Sequence, residues 1–287
     1  MDESSMSDTP LPTPQAPALP PGWAPEILIA DASPVTRRVM SAVASSFLPE
    51  CKIVEAASGR ETCELLRAGA VDMAFVDMDF ADMNGAAAVA SARECGARPF
   101  VTLMAQQAEA GWEAWSREVD AYEFLEKPIE DDEIRHIIAN FVRMKAPCRV
   151  LVADDSKAFR HLIKKVLAGS RFGMGVDVVD NGEIAVGLLR QQPYDVIFLD
   201  YDMPGLDGLE TACLVQEVCP SARVVMVSAN HEESIERAAR YFGAIDFLKK
   251  PFYPAEIDRA LHFAFELPVP SLLQSLGMKG PDESRAG

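Results

Sequence analysis

Three charged residues recur at one fixed spacing through this chain, and that spacing limits how it can fold. Asp154, Asp200 and Lys250 follow Asp31, Asp77 and Lys127 by 123 positions each, and all six stand at or just past the end of a short apolar run. A chain of 287 residues that repeats once at that distance reads as two units of about 120 residues, each long enough to bury a core of its own. The copies are unequal. Asp155 has Ala32 as its counterpart, so the first copy lacks a carboxylate that the second carries.

The apolar runs of the second half are RVLVA (149–153), DVIFL (195–199), RVVMV (223–227) and AIDFL (244–248). They are continuous rather than alternating, which suits strands of a parallel sheet covered on both faces. Between them Phe159, Leu162, Ile163, Val166 and Leu167 follow the stripe of a helix packed on one side. The first half repeats the pattern with EILIA, DMAFV, PFVTLM and AYEFL as four of five strands, and Ser33-Pro34 reads as a helix cap with proline at the first helical position. The βαβ order predicts two doubly wound α/β domains in tandem, at 26–145 and 148–266. Their short connection around Ala146, Pro147 and Cys148 predicts a fixed arrangement.

Residues 1–25 hold seven prolines and read as a disordered tail. Residues 267–287 form a C-terminal tail in which Ser271 to Met278 has the apolar spacing for a short helix, packed or free. A net charge of −17 argues against a broad basic surface for nucleic acid and against an anionic membrane. No stretch is long and apolar enough to span a bilayer and no signal segment opens the chain, so a cytoplasmic protein is expected. The six cysteines show no metal-ligand spacing and read as free thiols.

In a doubly wound sheet the ligand site lies beyond the carboxyl ends of the strands. Asp154, Asp155, Asp200, Ser228 and Lys250 of the second copy all fall there. Converging carboxylates repel one another, and a hard divalent cation such as Mg²⁺ relieves the repulsion. A lysine opposite completes the charge balance for a transferred phosphoryl group.

VADDS (152–156), FLDYDMPGLDG (198–208), VSA (227–229) and FLKKPF (247–252) together resemble the four signatures of the receiver domain of bacterial response regulators, the CheY-like fold. The resemblance implies a flavodoxin-like five-stranded sheet of order 2-1-3-4-5 in each half. It implies Asp200 as phosphoacceptor for a histidine kinase or phosphotransfer protein. It implies Mg²⁺ held by Asp155, Asp200 and the backbone carbonyl of Asp202, with Asp154 acting through water. Ser228 and Phe247 become the switch pair, Lys250 the ion-pair partner of the phosphoryl group, and Asp202 and Asn230 the positions that tune autodephosphorylation.

The first copy departs from this pattern. IADAS keeps Asp31 but has Ala32; VDMDFADMNG keeps Asp77; FLEKPI keeps Lys127, with Phe124 at the aromatic position. The hydroxyl position falls on Met104 if Ala105 is matched to Ala229, or on Ala105 without a gap, and Thr102 comes too early. A degenerate receiver kept for its surface is expected, the competing reading being a weak acceptor at Asp77 helped by Asp79 or Asp82. Trp112 and Trp115 sit three apart in its expected fourth helix, as core residues or as a contact surface.

The expected output is a changed affinity for a target protein, or for a second copy of the chain, with only self-phosphotransfer and autodephosphorylation as chemistry. No output-domain signature follows residue 266, so a stand-alone regulator is expected, the alternative being a phosphate sink or relay intermediate. From another class, Asp200-Tyr201-Asp202 copies the D-x-D of haloacid-dehalogenase-like phosphatases, but that family needs its further acids late in the chain and Asp154 and Asp155 come early. His161 and Lys164 match an H-x-x-K pattern but lie on a receiver-type helix, where a solvent-facing histidine is expected.

Overall fold

The computed structural model describes residues 15, 17–108, 111–230 and 233–277. The chain divides into two compact units, Met1–Arg143 and Met144–Gly287. The division falls just before the sequence boundary at 145, because Met144, whose carbonyl accepts from the Gly173 N–H, already belongs to the second unit.

The first unit runs β1 (Glu26–Ala30), α1 (Pro34–Phe47), β2 (Lys52–Ala56), α2 (Gly59–Arg67), β3 (Met73–Asp77), α3 (Gly85–Glu94), β4 (Phe100–Ala105), α4 (Trp112–Glu118), β5 (Glu123–Glu126) and α5 (Asp131–Lys145), the last two residues of which fall in the second unit. The second runs β6 (Cys148–Ala153), α6 (Lys157–Ala168), β7 (Met174–Val179), α7 (Gly182–Leu189), β8 (Val196–Asp200), α8 (Gly208–Val218), β9 (Arg223–Ser228), α9 (Glu233–Tyr241), β10 (Ala244–Lys249) and α10 (Pro254–Ala264), followed by the short α11 (Ser271–Gln274). Both sheets are parallel, ordered β2-β1-β3-β4-β5 and β7-β6-β8-β9-β10, the predicted flavodoxin-like topology.

The central strands β3 and β8 are buried at every residue, which is why they read as unbroken apolar runs. The edge strands β2 and β7 are different. β2 exposes Lys52 and Glu55, and in β7 only Val179 is fully buried, so neither stands out as a continuous apolar run. Helix starts follow the capping signals: the Ser33 hydroxyl accepts from the Thr36 N–H at 3.3 Å and the Ser156 hydroxyl from the Phe159 N–H at 3.3 Å. Ile163 and Leu167 carry the buried stripe of α6, whereas Leu162 is exposed, contrary to its place in the expected stripe. His161 is exposed, as expected.

Both tails hold packed residues. The ordered chain begins before residue 26: Trp23 packs on Phe141 of α5 at 5.7 Å between ring centroids, and the buried Pro25 accepts the Lys52 N–H. An aromatic ring among the prolines supplies the apolar contact that the prolines lack. Residues 1–14 and 16, the rest of the expected tail, lie outside the described residues. In the C-terminal segment Leu273 of α11 is buried, so this helix is packed rather than free; residues 278–287 also lie outside the described residues.

Candidate phosphoryl and cation site

The strand order reverses between β6 and β8, and a crevice opens beyond their carboxyl ends. Asp154 follows β6 directly, Asp200 ends β8, Ser228 ends β9 and Lys250 follows β10, so four strands deliver four polar groups to one place. The ligand atoms of Asp154, Asp155 and Asp200 lie within 4.8 Å of one another and form, among the described residues, a group able to hold a metal ion.

The three acids are not equivalent. Both oxygens of Asp154 are committed: Oδ1 accepts the Ser156 N–H at 2.8 Å, and Oδ2 meets the Lys250 ammonium at 2.5 Å. Lys250 also reaches Asp200 Oδ1 at 2.9 Å. Asp155, by contrast, is exposed. Three carboxylates and one ammonium leave two negative charges, which one divalent cation balances. This charge and the spacing of the oxygens fit Mg²⁺. Burial pushes the Asp200 carboxyl up to about 6; Lys250 opposes the shift, while Asp154 and Asp155 add to it.

The Ser228 side chain is fully buried, and its hydroxyl accepts the Asn230 N–H at 3.0 Å. Phe247 is half-buried, and Asp202 and Asn230 are exposed. Gly208 closes the loop after Asp200: a Cβ there would stand 2.4 Å from the Asp200 carbonyl oxygen and 2.7 Å from the Tyr201 Cα. Only a residue without a side chain lets the Gly208 N–H reach the Tyr201 carbonyl at 3.0 Å.

The first unit repeats the frame. Lys127 bridges Asp31 at 2.7 Å and Asp77 at 2.8 Å, Asp31 accepts the Ser33 N–H at 2.7 Å, and Gly85 passes as closely to the Asp77 carbonyl as Gly208 does to that of Asp200. Burial raises the Asp77 carboxyl above its usual range against the pull of Lys127. The Lys127 ammonium is held above its usual range because its bonds to Asp31 and Asp77 outweigh burial. Ala32 thus removes the acid whose counterpart, Asp155, is the exposed one, and the site keeps a single negative charge.

The hydroxyl position is settled by the backbone. The Lys127 N–H donates to the Ala105 carbonyl as the Lys250 N–H donates to that of Ser228, both at 2.8 Å, while Met104 matches Val227 by accepting the N–H after the aspartate. Ala105, and not Met104, therefore stands where Ser228 does. Met104 and Thr102 lie an odd number of residues from Ala105, on the opposite face of β4, so neither can supply the group. A cleft of about 270 Å³ opens beside Ala105, lined also by Asp79, Gln106, Trp115 and Phe124. Trp112 packs on Phe124 in a tilted pair at 5.0 Å between ring centroids, within its own domain, while Trp115 faces this cleft. Asp82 does not join the acids: it accepts the Gly59 and Arg60 N–H groups at 2.9 and 3.1 Å, capping α2.

One pair of residues escaped the sequence reasoning. The Arg160 guanidinium donates to the carbonyls of Asp154 at 2.5 Å and Asp155 at 2.9 Å, and Arg37 does the same for Asp31 at 2.7 Å and Ala32 at 3.3 Å. Each holds the loop that presents the acids. The signal was available, since the two arginines are also 123 positions apart.

Comparison with known proteins agrees with the geometry. The family model of the response regulator receiver domain matches residues 27–139 and 150–262. Among curated proteins, the chain is 37% identical over 123 residues to a protein-glutamate methylesterase/protein-glutamine glutaminase of Rhodospirillum centenum, covering 42% of this chain and 31% of that one. It is 34% identical over 116 residues to the chemotaxis protein CheY of Listeria monocytogenes, covering 40% and 97%. The chain spans about a third to a half of the length of the first curated relatives it matches. Among solved structures, a two-component system response regulator/GGDEF domain protein superposes with a TM-score of 0.60 at 22% identity, over 84% of this chain and 98% of that chain, a likeness of fold.

Proposed function

Because the chain belongs to the response regulator receiver family in both halves, we propose that its second receiver accepts a phosphoryl group on Asp200 and that its first acts through its surface. The donor is a histidine kinase or a histidine phosphotransfer protein. The observation that carries this reading is the convergence of Asp154, Asp155 and Asp200 within 4.8 Å, with Lys250 2.9 Å from Asp200.

Asp200 is the nucleophile. With its carboxyl at about 6 it is mostly ionised at neutral pH, so its oxygen attacks phosphorus while the P–N bond to the donor imidazole breaks and the electron pair returns to the ring. Asp155, Asp200 and the Asp202 backbone carbonyl would hold Mg²⁺ directly and Asp154 through water; bound there, the cation supplies neutralisation of charge on the transferred group. Lys250 already faces Asp200 and needs only a small turn to pair with a phosphoryl oxygen. Ser228 exchanges its contact with the Asn230 N–H for donation to that oxygen, which draws the loop after β9 inward and frees space for Phe247. Asp202 and Asn230, exposed at the mouth, govern water's approach to the acyl phosphate.

The output is altered contact with a target protein or a second copy of the chain, and no substrate is turned over. Incubation with Mg²⁺ and a small phosphodonor should give a hydroxylamine-labile phosphoryl group on the peptide containing Asp200. A label stable to hydroxylamine, or steady hydrolysis of a phosphate ester, contradicts the reading.

A further inference from the structure

The two lysines at the heart of the two sites make the same ion pairs but do not have the same neighbours. In the second receiver the Lys250 ammonium sits 4.1 Å from the centroid of the Phe159 ring. Phe159 is in turn fixed edge-on against Phe252, at 5.4 Å and 88°. Its backbone position is set by the start of α6, where its N–H is capped by Ser156. Both rings are half-buried.

The first receiver has Thr36 and Ile129 at these places, 123 positions earlier, although the Thr36 N–H is capped by Ser33 in the same way and Lys127 bridges its two aspartates at similar distances. The aromatic pair is therefore not needed to form the lysine bridge. It accompanies the copy that keeps the full set of acids.

We propose that Phe159, seated by Phe252, is a positioning residue for Lys250. A ring face attracts an ammonium without competing for its N–H donors. Phe159 thereby restrains Lys250 while leaving its hydrogens free to pass from Asp154 and Asp200 to an incoming anionic oxygen. Thr36 and Ile129 offer Lys127 no such restraint. The consequence for phosphoryl transfer rests on Asp200 being the acceptor; the restraint on the lysine does not.

The test is a trace-labelling experiment on the full chain. A brief pulse of an amine-acetylating reagent, followed by peptide mass spectrometry, reads the reactivity of Lys250 and Lys127 in one molecule. Phe159→Leu should raise the Lys250 rate about three- to tenfold and leave Lys127 unchanged, Phe159→Tyr should retain the wild-type rate, and Thr36→Phe combined with Ile129→Phe should slow Lys127. Should Phe159→Leu fail to melt cooperatively, Phe159→Met carries the same expectation. An unchanged Lys250 rate in a folded Leu or Met variant overturns the proposal.

A second arm measures phosphoryl uptake from acetyl phosphate with Mg²⁺, expected to be about three- to tenfold slower in Phe159→Leu. Equal uptake by wild type and variant overturns the positioning role. A wild type that takes up no phosphoryl group overturns the function proposed for Asp200 instead, and the labelling result then stands by itself.

Discussion

Ser228 and Ala105 occupy the same place in two copies of one sheet: the carbonyl of each accepts the N–H of the site lysine at 2.8 Å. One carries a hydroxyl and the other a methyl group. With the exchange of Asp155 for Ala32, this separates the receiver proposed to accept a phosphoryl group from one that keeps only the frame, Asp31, Asp77 and Lys127.

The exchange at the acidic loop predicts where a divalent cation binds. Asp155 is the exposed acid of its cluster, so Asp155→Ala should weaken Mg²⁺ binding at least tenfold, a loss of about 1.4 kcal/mol or more, as read by calorimetry. Ala32→Asp with Ala105→Ser should create a second, weaker site in the first receiver. A double variant that still binds a single equivalent would show that more than these two groups has been lost there.

The buried Asp200 predicts a pH-dependent gain in stability. The Asp200 carboxyl is held at about 6, above its ordinary 3.8, so the folded state keeps this proton longer than the unfolded one. Ionised Asp200 therefore costs stability; the cost is complete above pH 6 and disappears as the pH falls towards 4. In metal-free protein Asp200→Asn should stabilise at pH 8 by about 1–2 kcal/mol, allowing for solvent screening, and the gain should shrink through this window. Paired denaturant titrations of wild type and variant measure the difference directly. A variant less stable at pH 8, or a gain that does not vary with pH, would contradict it.

The loops after Asp200 and Asp77 predict a steric effect shared by both copies. A methyl group on Gly208 or Gly85 would lie within 2.4 Å or 2.0 Å of a backbone carbonyl oxygen. Each Gly→Ala change should cost about 1–3 kcal/mol, or more where the loop cannot shift. Thermal unfolding checks this, and an unchanged melting temperature would mean that the loop relaxes freely.

Much of this was readable in the residues because buried parallel strands announce themselves. Met73–Asp77 and Val196–Asp200 are apolar until the acid that ends them, and the acid marks both strand end and site. The edge strands β2 and β7 interrupt their apolar residues with Lys52, Glu55 and Asp177 and lack such a signature. The hydroxyl position stayed ambiguous between Met104 and Ala105 because motif matching alone permits a one-residue gap, whereas hydrogen-bond register does not. The roles of Arg160 and Phe159 are illegible for another reason. They act on a backbone carbonyl and on an ammonium held by other groups, and neither belongs to a motif that names its own chemistry.

The most direct test of the division between the receivers is intact mass after incubation with Mg²⁺ and acetyl phosphate, for wild type, Asp200→Ala and Asp77→Ala. One phosphoryl group is predicted on wild type and on Asp77→Ala, and none on Asp200→Ala. Uptake retained by Asp200→Ala and lost in Asp77→Ala would contradict the assignment.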